Sequence, residues 1–568
     1  SCASPPVRIA SGTSKRLASG PPWMRLPRAE LVVAGEVVVR AGRGGLEVRE
    51  AIGVTGGRVV ACGRLDDVRS AAVSGARFVD ARGRAVIPGL HDAHVHLVDL
   101  ARSRRSLDLA AARTYADVER LTDRACGELP PGAWLLGRGW SADSLPAGRA
   151  RDLGELIGDR PAFLRSRDGH SAWASEPVLE RAGVGASTPD PPGGRIERAP
   201  DGTPTGLVRE KAVDLVTPVV DLLEGAALAA ALDETLSELR SLGLTGVTDA
   251  GDFTADRGRG RWAALGDSFS ALADATPQLR GRMRVNANVP RAALDAATSF
   301  GLETGAAVDD GGVLRCGWIK LFSDGALGSR TAALFEPYSC AERDDDVGVL
   351  TTSQTELDTV IAAGRRARLG VAVHAIGDRA NAAVLDGFER AGPGTTDRGV
   401  RDRIEHAQLT RAVDRARIAD LGVVASMQPA HCPSDAAAID RCWTGREADA
   451  YAWRSLADAG ATLAFGSDAP VEPVNPWVGI HAAVRRTPAG RVDAWHPEQT
   501  LSFAEALAAY TVGPAVAMGL TDEGHLEVGA QADVAILDRS IAAIAACADD
   551  VVDVRAELTF IAGEEVPR

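Results

Sequence analysis

Eight short apolar runs, each followed by a longer stretch of helical texture, constrain this 568-residue chain more than any other feature. They are the run ending at His91 and Asp92, then Gly243 to Asp249, Arg282 to Ala287, Cys316 to Phe322, Val371 to His374, Arg403 to His406, Gly422 to Met427 and Thr462 to Phe465. Strand-length runs alternating with helical segments predict βα units, and eight such units predict a closed parallel (β/α)8 barrel, an α/β fold of the TIM type. A barrel of this kind usually occupies about 250 residues. The barrel region, residues 88–515, is longer than that, and the excess falls in an insertion at residues 105–240, between the first and second strands.

The two chain ends have a different texture. Leu31-Val32-Val33, Val37-Val38-Val39, Leu46-Glu47-Val48 and Arg58-Val59-Val60-Ala61 are short β-like runs separated by glycine-rich turns, and Ala532 to Leu537 and Val554 to Ala562 repeat the pattern. Residues 24–87 and 516–568 are therefore expected to join in one small β-sandwich. Residues 1–23 are rich in Ser, Pro and Gly, lack the apolar centre of a signal peptide and precede Met24, so they read as a disordered leader.

Bulk properties exclude several classes of function. A hydrophobic share of 45 % with only 4 % aromatic residues predicts a large core of small and aliphatic side chains. The net charge of −14 is spread along the chain without a basic stripe, which argues against nucleic acid as a partner. No segment reaches the roughly 18 uninterrupted apolar residues of a membrane span. Eight cysteines at irregular positions form neither CxxC pairs nor a dense disulfide framework, and a reducing cytoplasm fits them best. A small-molecule substrate and a homodimer are the default expectations.

Chemistry enters at the ends of the apolar runs. His94 and His96 alternate along an extended segment, so their imidazoles share a face. His374 ends one run, His406 ends another, and Asp468 follows a third. In a parallel barrel all C-terminal strand ends open on one rim, so these distant residues meet. Lys320 completes the set. The chain has 63 Lys plus Arg, yet lysine occurs only at Lys15, Lys211 and Lys320. A buried amine can lose its proton and add carbon dioxide to give a metal-binding carbamate, which a guanidinium cannot do. Together these six residues are a candidate binuclear metal set. His91 lies at odd spacing from the ligand pair and is expected to face away, and His481, His496 and His525 have no ligand-like context.

The words Pro88-Gly89-Leu90-His91-Asp92-Ala93-His94-Val95-His96, Arg167-Asp168-Gly169-His170-Ser171-Ala172-Trp173, Lys320-Leu321-Phe322-Ser323-Asp324-Gly325, His374-Ala375-Ile376-Gly377-Asp378-Arg379, Arg403-Ile404-Glu405-His406-Ala407-Gln408 and Gly466-Ser467-Asp468-Ala469-Pro470 carry a further reading. With them, the chain resembles the amidohydrolase superfamily, in its YtcJ-like branch that includes N-substituted formamide deformylases. The resemblance implies the barrel with a flanking β-sandwich and metal-assisted hydrolysis of amide C–N bonds by an activated hydroxide. It assigns His94, His96 and Asp468 to one divalent ion, His374 and His406 to a second, and carboxylated Lys320 to both. Zinc is the first choice of ion, with iron, manganese and nickel as alternatives. Asp468 is the expected proton shuttle.

Substrate contacts are expected from Trp140, His170, Arg330 and His431. Arg330 could clamp a carboxylate or pair with a nearby acid, and His170 has a loop role as an equal alternative. Ser141 stands where relatives commonly carry Asp or another larger polar residue. The leading function is an amide or formamide hydrolase acting on a small N-substituted substrate. Hydrolysis of a cyclic amide or an N-acyl amino acid is the alternative within the same chemistry. A non-enzymatic metal-bound sensor is the third, and the presence of Asp468 argues against it.

Overall fold

The computed structural model describes residues 27–567 apart from 143, 168, 252–256, 342, 344 and 393–397, so the expected leader at 1–23 lies outside the described residues. Eight parallel strands stand side by side in chain order: Leu90–Val95, Leu244–Asp249, Arg284–Pro290, Leu314–Phe322, Val371–Ala375, Arg403–His406, Val424–Met427 and Thr462–Phe465. Each expected apolar run overlaps one of them. The first strand continues past Asp92 through His94 to Val95, because polar residues at a strand's C-terminal end face the mouth of a barrel and break the apolar pattern there without ending the strand.

Closure comes from backbone just past the strand ends. The Asp468 N–H donates to the His94 carbonyl at 2.7 Å and the His96 N–H to the Ala469 carbonyl at 2.9 Å. Asp92 reinforces the seam, its Oδ1 accepting from the backbone N–H of both His94 and Ser467 at 3.0 Å. The first and eighth strands are thus tied at the level of the candidate ligands.

Residues from both chain ends share one seven-stranded sheet, in the order Glu564–Val566, Ala556–Ile561, Val534–Leu537, Ala72–Pro88, Ala29–Gly42, Gly45–Thr55 and Arg58–Gly63. The runs around Leu31 and Val37 are one long strand, bent by register shifts on either side of Val37 and Val38. Gly35 permits the bend, since a Cβ there would meet Val86 Cγ2 at 2.7 Å and the Ala81 carbonyl oxygen at 2.9 Å. The sheet curls: its far edge returns to the other chain end, Val59 N–H donating to the Ala530 carbonyl at 2.9 Å. Val37, Val54, Val86, Ile536 and Phe560 fill the space it encloses.

Between the first and second barrel strands lies a second sheet of six strands, spanning Leu107–Asp108 to Pro204–Glu210. The helix that follows it, Gly225–Ser241, packs Leu228, Leu232, Leu236 and Leu239 into the barrel's own core. Cys340 and Cys442 form a disulfide across 102 residues. Their irregular placement in sequence hides it, since Cys340 lies in the segment after the Lys320 strand and Cys442 ends the helix His431–Cys442. No helix among the described residues is long and apolar enough to cross a membrane.

Candidate metal centre

The C-terminal ends of the barrel strands and the six-stranded cap enclose a cavity of about 410 Å³, and His94, His96, Lys320, His374, His406 and Asp468 all line it. Asp468 is the hub. Its Oδ1 lies 3.4 Å from His94 Nε2 and 3.3 Å from His96 Nε2, and its Oδ2 lies 3.2 Å from His431 Nε2. The His406 ring lies 5.2 Å from His94, tilted, and 4.6 Å from His374, edge to face, centroid to centroid. Donor atoms of His94, His96 and Asp468, and separately those of His406, His431 and Asp468, fall within 4.8 Å of one another.

Backbone strain aims two of these groups. His406 has φ 72° and Asp468 φ 59°, a left-handed conformation that non-glycine residues rarely adopt. His406 ends the sixth barrel strand and Asp468 lies three residues past the eighth, and both side chains line the cavity at the barrel mouth. Such strain costs of order 1 kcal/mol or more per residue and persists where surrounding structure enforces it.

Behind His94 lies a buried polar chain that sequence reading missed. His94 Nδ1 is 2.6 Å from Glu405 Oε2, and Glu405 is fully buried. Arg403 clamps that carboxylate through Nε at 2.8 Å and Nη2 at 3.1 Å, and Nη2 also donates to the Ala93 carbonyl and to Ser426 Oγ. With Nδ1 donating to Glu405, the His94 Nε2 lone pair is presented to the cavity. The available signal was the adjacent Glu405-His406 pair at the end of the strand Arg403–His406, where alternation sends the two side chains to different surroundings. Its partner is 311 residues away, so the role could not be read locally.

The electrostatics suit cation binding. Burial, then the charges of neighbouring basic groups, holds His374 and His406 far below the ordinary histidine range, so both rings are neutral and can ligate. Burial pushes Asp468 upward, but the imidazoles of His431, His94 and His96 gathered around it outweigh burial and keep the carboxyl ionised. Glu405 behaves alike, its burial overcome by Arg403 and His94. Burial lowers Lys320 to about 8 against the opposing pull of Glu405 and Asp468, which makes the neutral amine far more accessible than on an exposed lysine. His431 is raised to about 9, its burial outweighed by Asp468. The neutral rings of His374 and His406 beside the ionised Asp468 carboxylate form a donor set that fits divalent metal ions.

Trp140 lines the cavity with its indole N–H donating to the Leu164 carbonyl at 2.7 Å. His170 lines it too, Nδ1 lying 3.0 Å from Glu210 Oε2 and its ring 6.0 Å from His374. His431 joins the cluster through Asp468. Arg330 does not come with them. It is exposed on a turn with φ 56° and is not among the cavity-lining residues, because the chain reverses between Leu327 and Arg330 and carries the guanidinium outward. His91 is half-buried away from this cavity, 3.0 Å from Thr248 Oγ1.

The Amidohydrolase family model matches residues 77–567 of the chain. The protein LONG AFTER FAR-RED 3 of Arabidopsis thaliana is 32 % identical over 500 residues, covering 87 % of this chain and 84 % of that protein. The N-substituted formamide deformylase of Arthrobacter pascens is 29 % identical over 504 residues, covering 86 % and 90 %. A crystal structure of an uncharacterized metal-dependent hydrolase from Pyrococcus horikoshii OT3 superimposes with a TM-score of 0.71 at 28 % identity, covering 90 % of this chain and 97 % of that one.

Proposed function

Because the chain belongs to the amidohydrolase family and is a hydrolase acting on carbon–nitrogen bonds, we propose that its cavity cleaves the amide or formamide bond of a small N-substituted substrate. The observation that carries this reading is the buried Asp468 hub, one carboxylate within 3.4 Å of three histidines at the mouth of a closed barrel. In this reading His94, His96 and Asp468 would hold one divalent ion and His374 and His406 a second, with Lys320, as a carbamate, serving both. Zinc is the first candidate for a histidine-rich site. Ions held there supply Lewis acidity and lower the pKa of a water from 15.7 toward about 7.

The chain's own groups do the rest. Asp468 takes a proton from the attacking water as the new C–O bond forms, and returns it to the nitrogen as the C–N bond breaks, giving a carboxylic acid and an amine. His431, adjacent to Asp468 and charged below about pH 9, donates toward the carbonyl oxygen as negative charge develops. Glu405, fixed by Arg403, keeps His94 in the tautomer that the site needs. Trp140 and the neighbouring apolar side chains of the cap exclude water from the substituent on nitrogen.

The reading is tested by screening N-substituted formamides and N-acyl compounds with wild type and Asp468→Asn. Turnover by wild type, reduced about 10²–10⁴-fold in the variant, is the expected result. Turnover undiminished in Asp468→Asn would overturn it.

A further inference from the structure

We propose that the cap reads a carboxylate on the substrate through Arg165, so that the amide cleaved is that of an N-acylated amino acid or a closely similar anionic amide. This rests on the hydrolytic reading above and narrows its substrate class.

Arg165 belongs to the cap strand Ala162–Ser166, which pairs in parallel with Leu135–Trp140 and sets Arg165 directly beside Arg138. Side chains alternate along a strand, so Phe163 and Arg165 share a face with Leu136 and Arg138. The position of that face is fixed by Arg138, whose Nη1 donates to the Pro470 carbonyl at 2.6 Å, two residues beyond Asp468. The face therefore abuts the barrel mouth, and both arginines line the cavity that holds the histidine cluster.

Their bonding differs. Arg138 is engaged with Pro470 and, at 3.5 Å, with Asp108. Arg165 is half-buried and has no hydrogen-bond or ion-pair partner among the described residues. Acids on the barrel side of the cavity do not serve it: Asp435 accepts from Gln408 and Tyr451, and Glu472 accepts from Ser434 Oγ at 2.7 Å. A guanidinium remains charged at every working pH. Holding one partly buried beside a second, on strands roughly 4.8 Å apart, is unfavourable until an anion arrives. Its planar fork matches a single carboxylate through two parallel hydrogen bonds. Phe163 and Leu136 on the same face, with Val220 and Leu222 beside them, supply an apolar wall. The cavity thus offers an anion site and an apolar wall in the cap, and the hydrolytic cluster opposite, which suits an amide carrying both a carboxylate and an apolar side chain.

The test compares N-formylphenylalanine with N-formylphenethylamine, which differ only in the carboxylate, on the metal-loaded full chain and its Arg165→Gln and Arg165→Lys variants. Binding of 3-phenylpropionate and 3-phenylpropanol is measured by calorimetry alongside. Wild type is expected to prefer the carboxylate substrate, and Arg165→Gln to reduce that preference about tenfold to a hundredfold through KM, with Arg165→Lys intermediate. The affinity for 3-phenylpropionate relative to 3-phenylpropanol should fall by a similar factor. No preference in wild type, or equal effects of Arg165→Gln on the charged and neutral members of both pairs, would overturn the carboxylate site. Failure to hydrolyse either formamide, with 3-phenylpropionate binding still weakened by Arg165→Gln, would support the site and count against the hydrolytic reading itself.

Discussion

Glu405 contributes to the site without facing the substrate, and its removal should be read in the metal. Glu405→Gln keeps the shape but weakens the charge that orients His94, so chelator competition should show metal affinity falling about 10–100-fold. Unchanged affinity in a folded variant would mean that the 2.6 Å contact to His94 is structural only. A second buried acid, Asp402, reports on stability. It accepts from the Val371 N–H and from Arg365, both at 2.8 Å, and burial, only partly offset by Arg365, raises it to about 6. A carboxyl raised in the folded state keeps its proton where the unfolded chain releases it, so its contribution is full below about pH 4 and is lost as pH rises to about 6. Relative to Asp402→Asn, denaturant unfolding of wild type should therefore lose stability over that window, by about 3 kcal/mol at most, and run parallel above it. Parallel curves throughout would contradict the assignment.

At the scale of elements, the seam between the first and eighth strands is the most exacting part of the fold. A Cβ on Gly466 would lie 2.4 Å from the His94 nitrogen and 2.9 Å from its carbonyl oxygen, both backbone atoms with little room to give. Gly466→Ala should destabilise the protein by about 1–3 kcal/mol and weaken metal retention together, seen as a lower melting temperature and faster loss of metal to a chelator. A lower melting temperature with metal retention intact would separate the seam from the site. The strands themselves were legible in the sequence because fully buried parallel strands are continuous apolar runs. That His94, His96, Lys320, His374, His406 and Asp468 would gather at one cavity was legible for a related reason: each stands at or near the end of such a run, where the barrel opens. Contacts between elements were not. Arg330 follows the Lys320 strand closely in sequence and yet turns outward, whereas Arg165, in a cap strand that pairs parallel to its neighbour, faces the cavity. Chain proximity to a ligand strand was a poor guide, because the cap's register against the barrel decides which arginine reaches the site.

In the whole molecule, one sheet gathers residues from the two chain ends, the barrel positions the candidate ligands, and the cap closes over them to leave a cavity of about 410 Å³. The central proposal is that groups drawn from four different barrel strands and from the turn after the eighth act as one paired-ion site, with Lys320 joining its two halves. Metal content measured beside formamide turnover, in the same preparations of wild type and Lys320→Met, tests this most directly. The account predicts two divalent ions per wild-type chain, and loss of at least one ion together with turnover in the variant. Two ions and undiminished turnover in Lys320→Met, or turnover by wild type stripped of metal, would contradict it.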